Sequence, residues 1–494
     1  MQEKKPAILR HGYISIPDYK FGDSVVLQNY LSEFDEISFK REYYGLSYDP
    51  NTKELRVPMG VGINMIANML NRKPEVDYSV DSQRPVDINL KVMPRDGLQE
   101  QIITDIVLRN RKYSQSCIVA GTGVGKTYCA IACSSFFKNA VMVISHSSKL
   151  RTHWRKKITE YTDLEKDDIM VMDSSKKIIK VIEEESWEDY KIFTTTHQIL
   201  YSLAKQKGWN YISELFDKFG IGFTIIDEVH RQFRNTVRIL THTNSKKYLL
   251  LTATFKQSAR AQNRIFQLCF KNVPKFIQDD IINGKSQKHI TGYVVEYNSR
   301  PSVETQLDCE VRGLFNTVYY DNYLVTYDPL FYEVFDKYVL MCINGVKPFK
   351  GKGLVFCGSI NACEVLAKRT FTLINDSNTI IGIYHSKVNI SSKEKEDVLK
   401  NADIVFTTSG SLGEGADIEG LHYIIDIEAF RSSILSEQIP GRLRNLNDGH
   451  KFNYFKIANV GFKRVASQLT ECSRTWKKNF GTIQFREGIS KAKE

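Results

Sequence analysis

Residues 116–137 read SCIVAGTGVGKTYCAIACSSFF. A short apolar run of strand character leads into a loop with three glycines, and a proline-free helical stretch follows. Strand, glycine loop and helix in that order make a phosphate cradle. Glycines 121, 123 and 125 let backbone N–H groups turn inward, and the helix N-terminus adds about half a positive charge. On this reading Gly121, Thr122, Gly123, Val124 and Gly125 wrap phosphate oxygens, Lys126 reaches the outer phosphates and Thr127 ligates Mg2+. The strict pattern begins with glycine where this chain has Ala120; the three inner glycines remain.

Outward from the loop, short β-rich runs alternate with amphipathic stretches from about residue 95 to 255: AVMVIS, KLRTHWRKKITEY, KIFTT and FTIIDE. Such alternation predicts a parallel α/β sheet. FTIIDE ends on Asp227 and Glu228, and strand ends of this kind are where open α/β sheets bind ligands. Asp227 is expected to hold Mg2+ and Glu228 to orient an attacking water. A second series, GLVFC, NACEVLAKRTFTL, TIIGIY, KEKEDVLK, ADIVFTT and HYIIDIE, starts near residue 350 and predicts a second α/β domain. The first 90 residues differ. There LSYDPNTKELRVPMG gives two strand-like runs around Asp49-Pro50-Asn51, which suits a small α+β accessory domain. Residues 72–92 carry two prolines and many polar residues, as a linker would.

The chain has 494 residues, 68 Lys plus Arg against 57 Asp plus Glu, and a net charge of +11, so a polyanionic partner is favoured. Its 42% hydrophobic and 25% charged content excludes wholly disordered, collagen-like and disulfide-scaffold classes. Apolar runs stay short of the roughly 18 residues a membrane span needs. The nine cysteines are scattered and never spaced C-x-x-C, which argues against a zinc site and points to a reducing cytoplasm. The first residues, MQEKKPAILRHGYISIP, lack the apolar core of a signal peptide.

The motifs beyond the loop narrow the class. Asp-Glu-Val-His at 227–230, Leu-Thr-Ala-Thr at 251–254 and Gln-Ile-Pro-Gly-Arg-Leu-Arg at 438–444 occur in the order seen in superfamily 2 helicases, and the chain resembles that family over roughly residues 93–480. The resemblance implies two tandem RecA-like domains that use ATP and Mg2+. Gln99 in PRDGLQEQ looks like the adenine-reading glutamine. In VISHSSKLRTHW, Ser145, Lys149 and Trp154 resemble a motif that contacts the nucleic-acid backbone; Thr194, Thr195 and Thr196 resemble the next such contact. Thr252, Thr254 and His230 resemble the residues coupling hydrolysis to domain movement. In the second domain Gly358 and Ser359, then Thr408 and Ser409, resemble nucleic-acid contacts, while Gly415 and Asp417 resemble contacts to the γ-phosphate and ribose. Gln438, Arg442 and Arg444 resemble the closing set, one arginine acting as a finger on the transferring phosphoryl group. The family pattern Q-x-x-G-R-x-x-R ends here on Asn445, with Arg444 one place early, which makes Arg442 the safer finger.

LSYDPNTKELRVPMG resembles the segment ahead of the motor in XPB-like helicases, a group that includes UvsW-like phage branch-migration helicases. It implies a monomeric 3′ to 5′ DNA motor that remodels forks, D-loops and four-way junctions in recombination, repair or replication. An RNA helicase and a restriction-type translocase are the alternatives. The C-terminal residues 462–494 carry eight Lys/Arg and three Asp/Glu, with Phe462, Trp476, Phe480 and Phe485 among them. They read either as a DNA path built on charge and stacking or as a docked helix with a basic face. The anticipated division is an accessory, DNA-binding domain at 1–90, an ATP-binding RecA-like domain at 91–295, a second at 296–465 and a basic extension at 466–494.

Overall fold

The computed structural model describes residues 4–490 except 21–24, 36–39, 44, 50–51, 80–82, 122, 258–259, 279–286, 312–313, 377, 389–391, 413–417, 430–434, 445 and 447. The chain forms two compact units, Met1–Gln278 and Asp279–Glu494. Each contains a seven-stranded parallel sheet.

In the first unit the strand order is Ile169–Val171, Ile192–Thr196, Ala140–Ser145, Ile221–Ile226, Lys247–Thr252, Gln115–Val119 and Lys275–Ile277. Every neighbouring pair is parallel. These strands are nearly continuous apolar runs because both faces are buried under helical crossovers; Ala140–Ser145, Ile192–Thr196 and Ile221–Ile226 are buried at every position. Parallel strands put all their C-terminal ends on one edge. The glycine loop, Ser145, Thr196, Asp227 and Thr252 therefore share that edge.

A five-stranded sheet precedes it in the same unit, in the order Ser47–Asp49, Glu54–Pro58, Tyr13–Ile16, Ala7–Leu9 and Pro74–Val76. Helix Ile63–Leu70 closes this small α+β domain, burying Ile66, Ala67 and Leu70 with Ile14, Ile16, Leu55 and Val57. Two glycines let it approach the larger sheet's helices. A Cβ at Gly12 would stand 2.3 Å from the Leu240 carbonyl oxygen, and one at Gly60 would stand 2.2 Å from that of Cys269. Backbone pairing seals the seat, with Asn272 N–H donating to Gly60 at 2.9 Å.

The second unit orders its strands Ile381–Tyr384, Ile404–Thr408, Lys352–Cys357, Leu421–Asp426, Phe452–Asn459, Gln287–Asn298 and Phe480–Ser490, all parallel. The aromatic-rich stretch after residue 316 becomes helices Thr317–Tyr327 and Pro329–Val346. Its Tyr320, Phe331 and Phe335 are fully buried and serve as core. Asp328 starts the second of these helices, its carboxylate accepting from Phe331 N–H at 3.2 Å.

Three expectations change. The chain divides at 278/279 and not at 295/296, because Gln287–Asn298 is hydrogen bonded between Phe452–Asn459 and Phe480–Ser490. Residues 466–490 form no separate extension: helix Lys463–Asn479 and the strand after it complete the second sheet. Within the supposed linker, Pro74–Val76 pairs in parallel with Ala7–Leu9. Pro50 and Asn51 of the expected turn lie outside the described residues.

Candidate nucleotide site and nucleic-acid-facing loops

Helix Lys126–Phe137 begins directly on the loop, with Gly125 as its N-cap at φ +93° and Gly123 at φ +87°. Both angles favour glycine. A Cβ at Gly125 would also stand 2.3 Å from Gln99 Nε2. The Lys126 ammonium lies along the loop, donating to the carbonyls of Ala120 at 2.9 Å and Gly121 at 3.1 Å. Gln278 Oε1 accepts from Gly121 N–H at 3.0 Å, a support from the far end of the unit that no sequence signal marked. Thr122 lies outside the described residues.

Gln99 is buried, and its amide accepts from Arg95 N–H at 2.8 Å and donates to Val124 O at 2.9 Å. It braces the loop. Asp96 caps the helix that carries it, accepting from Gln99 N–H at 2.9 Å.

Asp227 follows strand Ile221–Ile226 and is buried. Its N–H donates to Ile144 O at 2.9 Å, and its Oδ2 accepts from the Trp154 indole N–H at 2.9 Å. Burial, then the charge of Glu228, pushes its carboxyl up to about 6, against the opposing pull of the Trp154 hydrogen bond and the Lys126 charge. Glu228 sits at φ +50°, a left-handed backbone that costs a non-glycine residue about 1 kcal/mol or more and occurs here beside the loop. Asp227 and Thr127 supply hard oxygen donors, and two neighbouring carboxylates at a buried strand end are what a divalent cation relieves; the residues fit Mg2+.

His230 Nδ1 lies 2.8 Å from Thr252 Oγ1 and 3.2 Å from Glu228 Oε2. The Thr252 hydroxyl donates to Thr254 O at 2.7 Å and accepts from Thr254 N–H at 3.1 Å. With that hydroxyl proton committed, the Nδ1–H tautomer of His230 is the one that donates to Thr252, with the Glu228 carboxylate lying beside the same nitrogen. Gln257 adds a contact that the sequence did not mark, its amide donating to His230 O at 2.7 Å. DEVH and LTAT are thus one hydrogen-bonded chain.

The expected nucleic-acid contacts of this unit divide. Lys149 is exposed in the first turn of helix Ser148–Tyr161. Ser145 is fully buried, its hydroxyl within hydrogen-bonding reach of Ser147 O at 3.0 Å and Thr195 O at 3.2 Å. Thr194 and Thr195 are equally buried and donate to Met170 O and Met172 O, both at 3.4 Å. Thr196 caps helix His197–Lys207, accepting from Ile199 N–H at 3.3 Å. Short hydroxyls at strand ends satisfy the backbone there, so these four side chains are turned inward. Trp154 is 0% exposed and faces Asp227, not a nucleic-acid path.

In the second unit Gly358 N–H donates to Asp321, and a Cβ there would meet that carboxylate at 3.2 Å. Ser359 caps helix Ile360–Ile374 and donates to Asn322 Oδ1 at 3.2 Å. Thr408 bonds Ser411 Oγ at 2.9 Å, and Ser409 donates to Glu428 Oε1 at 2.8 Å. Both loops rest on buried carboxylates. Asp426 accepts from Lys456 Nζ at 2.9 Å and from Tyr454 OH at 2.5 Å, while Lys456 also donates to Glu428 O. Burial and then Glu428 hold the Asp321 carboxyl far above its usual range; burial and then Asp426 push Glu428 up to about 7. Asp426 and Glu428 stand in HYIIDIE, where strand-end acids were legible; Asp321 was hidden among aromatics.

Gln438 is buried on helix Leu435–Gln438, and Arg442 and Arg444 are half-buried on either side of buried Leu443. Gly415, Asp417 and Asn445 lie outside the described residues. Of the C-terminal aromatics, Phe462, Trp476 and Phe480 are core, and Trp476 donates to Ser436 O at 2.8 Å. Phe485 is exposed, with the Lys477 ammonium 4.9 Å from its ring centre. The docked-helix reading of this segment holds for those three rings.

The loop, Asp227-Glu228 and the coupled His230-Thr252 thus stand together on one edge of the first unit's parallel sheet, and the second unit repeats the parallel-sheet architecture. Residues 92–257 match the family described as type III restriction enzyme, res subunit. Among solved structures, the DEAD-box helicase Mss116 bound to ssRNA and UDP-BeF is similar at TM-score 0.54 and 14% identity, over 80% of this chain and 75% of that one. The ATP-dependent type ISP restriction-modification enzyme LlaBIII bound to DNA gives 0.52 and 15%, over 82% of this chain and 32% of that one. S. cerevisiae Dbp5 bound to RNA and ADP BeF3 gives 0.50 and 14%, over 80% and 89%. These likenesses concern the fold. No curated protein sequence matches the chain.

Proposed function

We propose that this protein is an ATP- and Mg2+-dependent DNA motor, a helicase or translocase of the cytoplasm that acts as a monomer on branched DNA such as forks, D-loops and four-way junctions, moving 3′ to 5′. The observation that carries the motor reading is the convergence, on one edge of one parallel sheet, of the Lys126 loop with Asp227, Glu228 and the His230-Thr252 pair. The glycine loop binds the phosphates through backbone N–H groups, and Lys126 leaves its two loop carbonyls for the outer phosphates. Mg2+, held by Thr127 and Asp227, supplies charge neutralisation at the phosphoryl group. Glu228 orients the attacking water, and its contact with His230 passes the occupancy of the site to Thr252 and Thr254. In the second unit Arg442, with Gln438 and Arg444, supplies the finger and Gly415 and Asp417 the nucleotide contacts; Gln99 reads adenine through the donor and acceptor capacity its amide keeps beyond its bonds to Arg95 and Val124.

A nucleic-acid partner is favoured by the net charge of +11, and we assign the N-terminal domain to duplex or junction binding. Lys149 is the side chain of the first unit assigned to the DNA backbone; Gly358, Ser359, Thr408 and Ser409 present loop backbone from the second. A restriction-type translocase is the second reading, favoured by the res-subunit match over 92–257.

Steady-state ATPase with no polymer, single-stranded DNA, duplex, a four-way junction and matched RNA tests the proposal, with labelled junction products resolved on gels. Strongest stimulation by DNA with ATP-dependent conversion of the junction to forks is the expected result. Stimulation by RNA alone selects an RNA helicase; duplex-stimulated turnover without strand or junction conversion selects the translocase.

A further inference from the structure

Asp227 is gripped twice by one segment. Its backbone N–H donates to Ile144 at the end of strand Ala140–Ser145, and its carboxylate accepts from Trp154 on the helix that follows. That helix, Ser148–Tyr161, opens with Ser147 as N-cap and presents Lys149 to solvent in its first turn. Trp154, a turn and a half further on, is fully buried, and its indole N–H meets Asp227 Oδ2 at 2.9 Å. An indole is a donor only, so it fixes which carboxylate oxygen faces inward and leaves the other for the site. A buried indole N–H takes an acceptor wherever it lies, and a carbonyl would serve packing alone; here the acceptor is the carboxylate at the strand end beside the loop.

We infer that Trp154 is a positioning residue for Asp227, and that helix Ser148–Tyr161 is the lever through which a polymer bound at its N-terminal turn sets the metal-holding carboxylate. This rests on the motor reading above. A phosphate drawn to Lys149 loads the first turn of the same rigid helix that carries the Trp154–Asp227 hydrogen bond; the helix is also packed through Leu150 and Ile158 and bonded through Arg151 to Met172 O, and packed elements carry such displacements as units. Polymer binding then acts on hydrolysis without a new residue entering the site.

Trp154→Phe keeps the ring and removes the donor. The expected result is a polymer-stimulated kcat lowered about tenfold or more with KM for ATP within about threefold, as loss of a hydrogen bond to a charged group acting in the transition state would give. A turnover-free measurement accompanies it: fluorescent mant-ADP binding titrated with MgCl2, where the Mg2+ midpoint should rise several-fold in the variant. Wild-type kcat and an unshifted Mg2+ midpoint in Trp154→Phe would overturn the inference. Should that variant fail to fold, 5-fluorotryptophan labelling of the four tryptophans decides in otherwise native protein. One 19F signal should move on adding MgCl2 with ADP and also in Asp227→Asn; four unmoved signals overturn the proposal. Wild-type protein without ATPase under any polymer would sink the motor reading itself, whereas active wild type with an indifferent Trp154 sinks the lever alone.

Discussion

Lys126 and Glu228 illustrate how little side-chain chemistry the site requires. One is a charge on a flexible stem directed by loop carbonyls, the other a carboxylate whose left-handed backbone aims it beside His230. Lys126→Ala should lower ATP turnover by about 100-fold or more with DNA affinity within about threefold, since phosphate-charge stabilisation dominates phosphoryl transfer. Glu228→Gln should bind ATP and hold it, read as retained labelled nucleotide on a filter; near-normal turnover by either variant would remove the proposed active site. Glu428 offers a test by pH. Its folded-state carboxyl is raised to about 7 from 4.5, so its contribution to stability is complete below about pH 4.5 and is lost as pH rises through 7. Glu428→Gln keeps an acceptor for Ser409 and removes that loss. The variant should therefore gain on wild type between pH 5 and 8, by roughly 1–3 kcal/mol at pH 8 in urea unfolding of the second unit.

At the scale of elements, much of the molecule was legible because a parallel sheet writes itself as apolar runs. AVMVIS, FTIIDE, GLVFC and HYIIDIE each became a buried strand. The loop at 120–127 was equally plain, since its glycines answer a local backbone demand. What failed to show was whatever depends on distant pairing. Gln287–Asn298 joins strands that lie far along the chain, and no local pattern assigns it to the second sheet. The same reason hid Gln278 on Gly121 and Trp154 on Asp227. Family likeness pointed Ser145, Thr195 and Thr196 at nucleic acid, yet strand-end carbonyls and a helix cap take their hydroxyls. Gly12 was silent for the same reason as Gln278: its necessity lies in the approach of the N-terminal domain to the Leu240 carbonyl oxygen, 2.3 Å from where a Cβ would stand. Gly12→Ala places a methyl against that carbonyl and should destabilise the first unit by about 1–3 kcal/mol, read as a lower urea midpoint with unchanged slope.

On the whole molecule, each of the two units has its own parallel sheet and its own buried core, and the loop, Asp227 and Glu228 lie within Met1–Gln278. A ligand that binds one folded unit stabilises that unit by mass action, by about 2.7 kcal/mol at a hundredfold excess over Kd. Scanning calorimetry should therefore resolve two transitions. ADP with Mg2+ at that excess should raise the transition of the first unit by about 4–6 °C, the shift such a free energy gives a domain of this size. The other transition should stay within about 1 °C, and Lys126→Ala should reduce the shift of the first. Equal movement of both transitions would place the nucleotide's binding energy on both units already in the absence of polymer. No movement of either would remove the nucleotide from the loop at 120–127 and leave its three glycines with a structural duty alone.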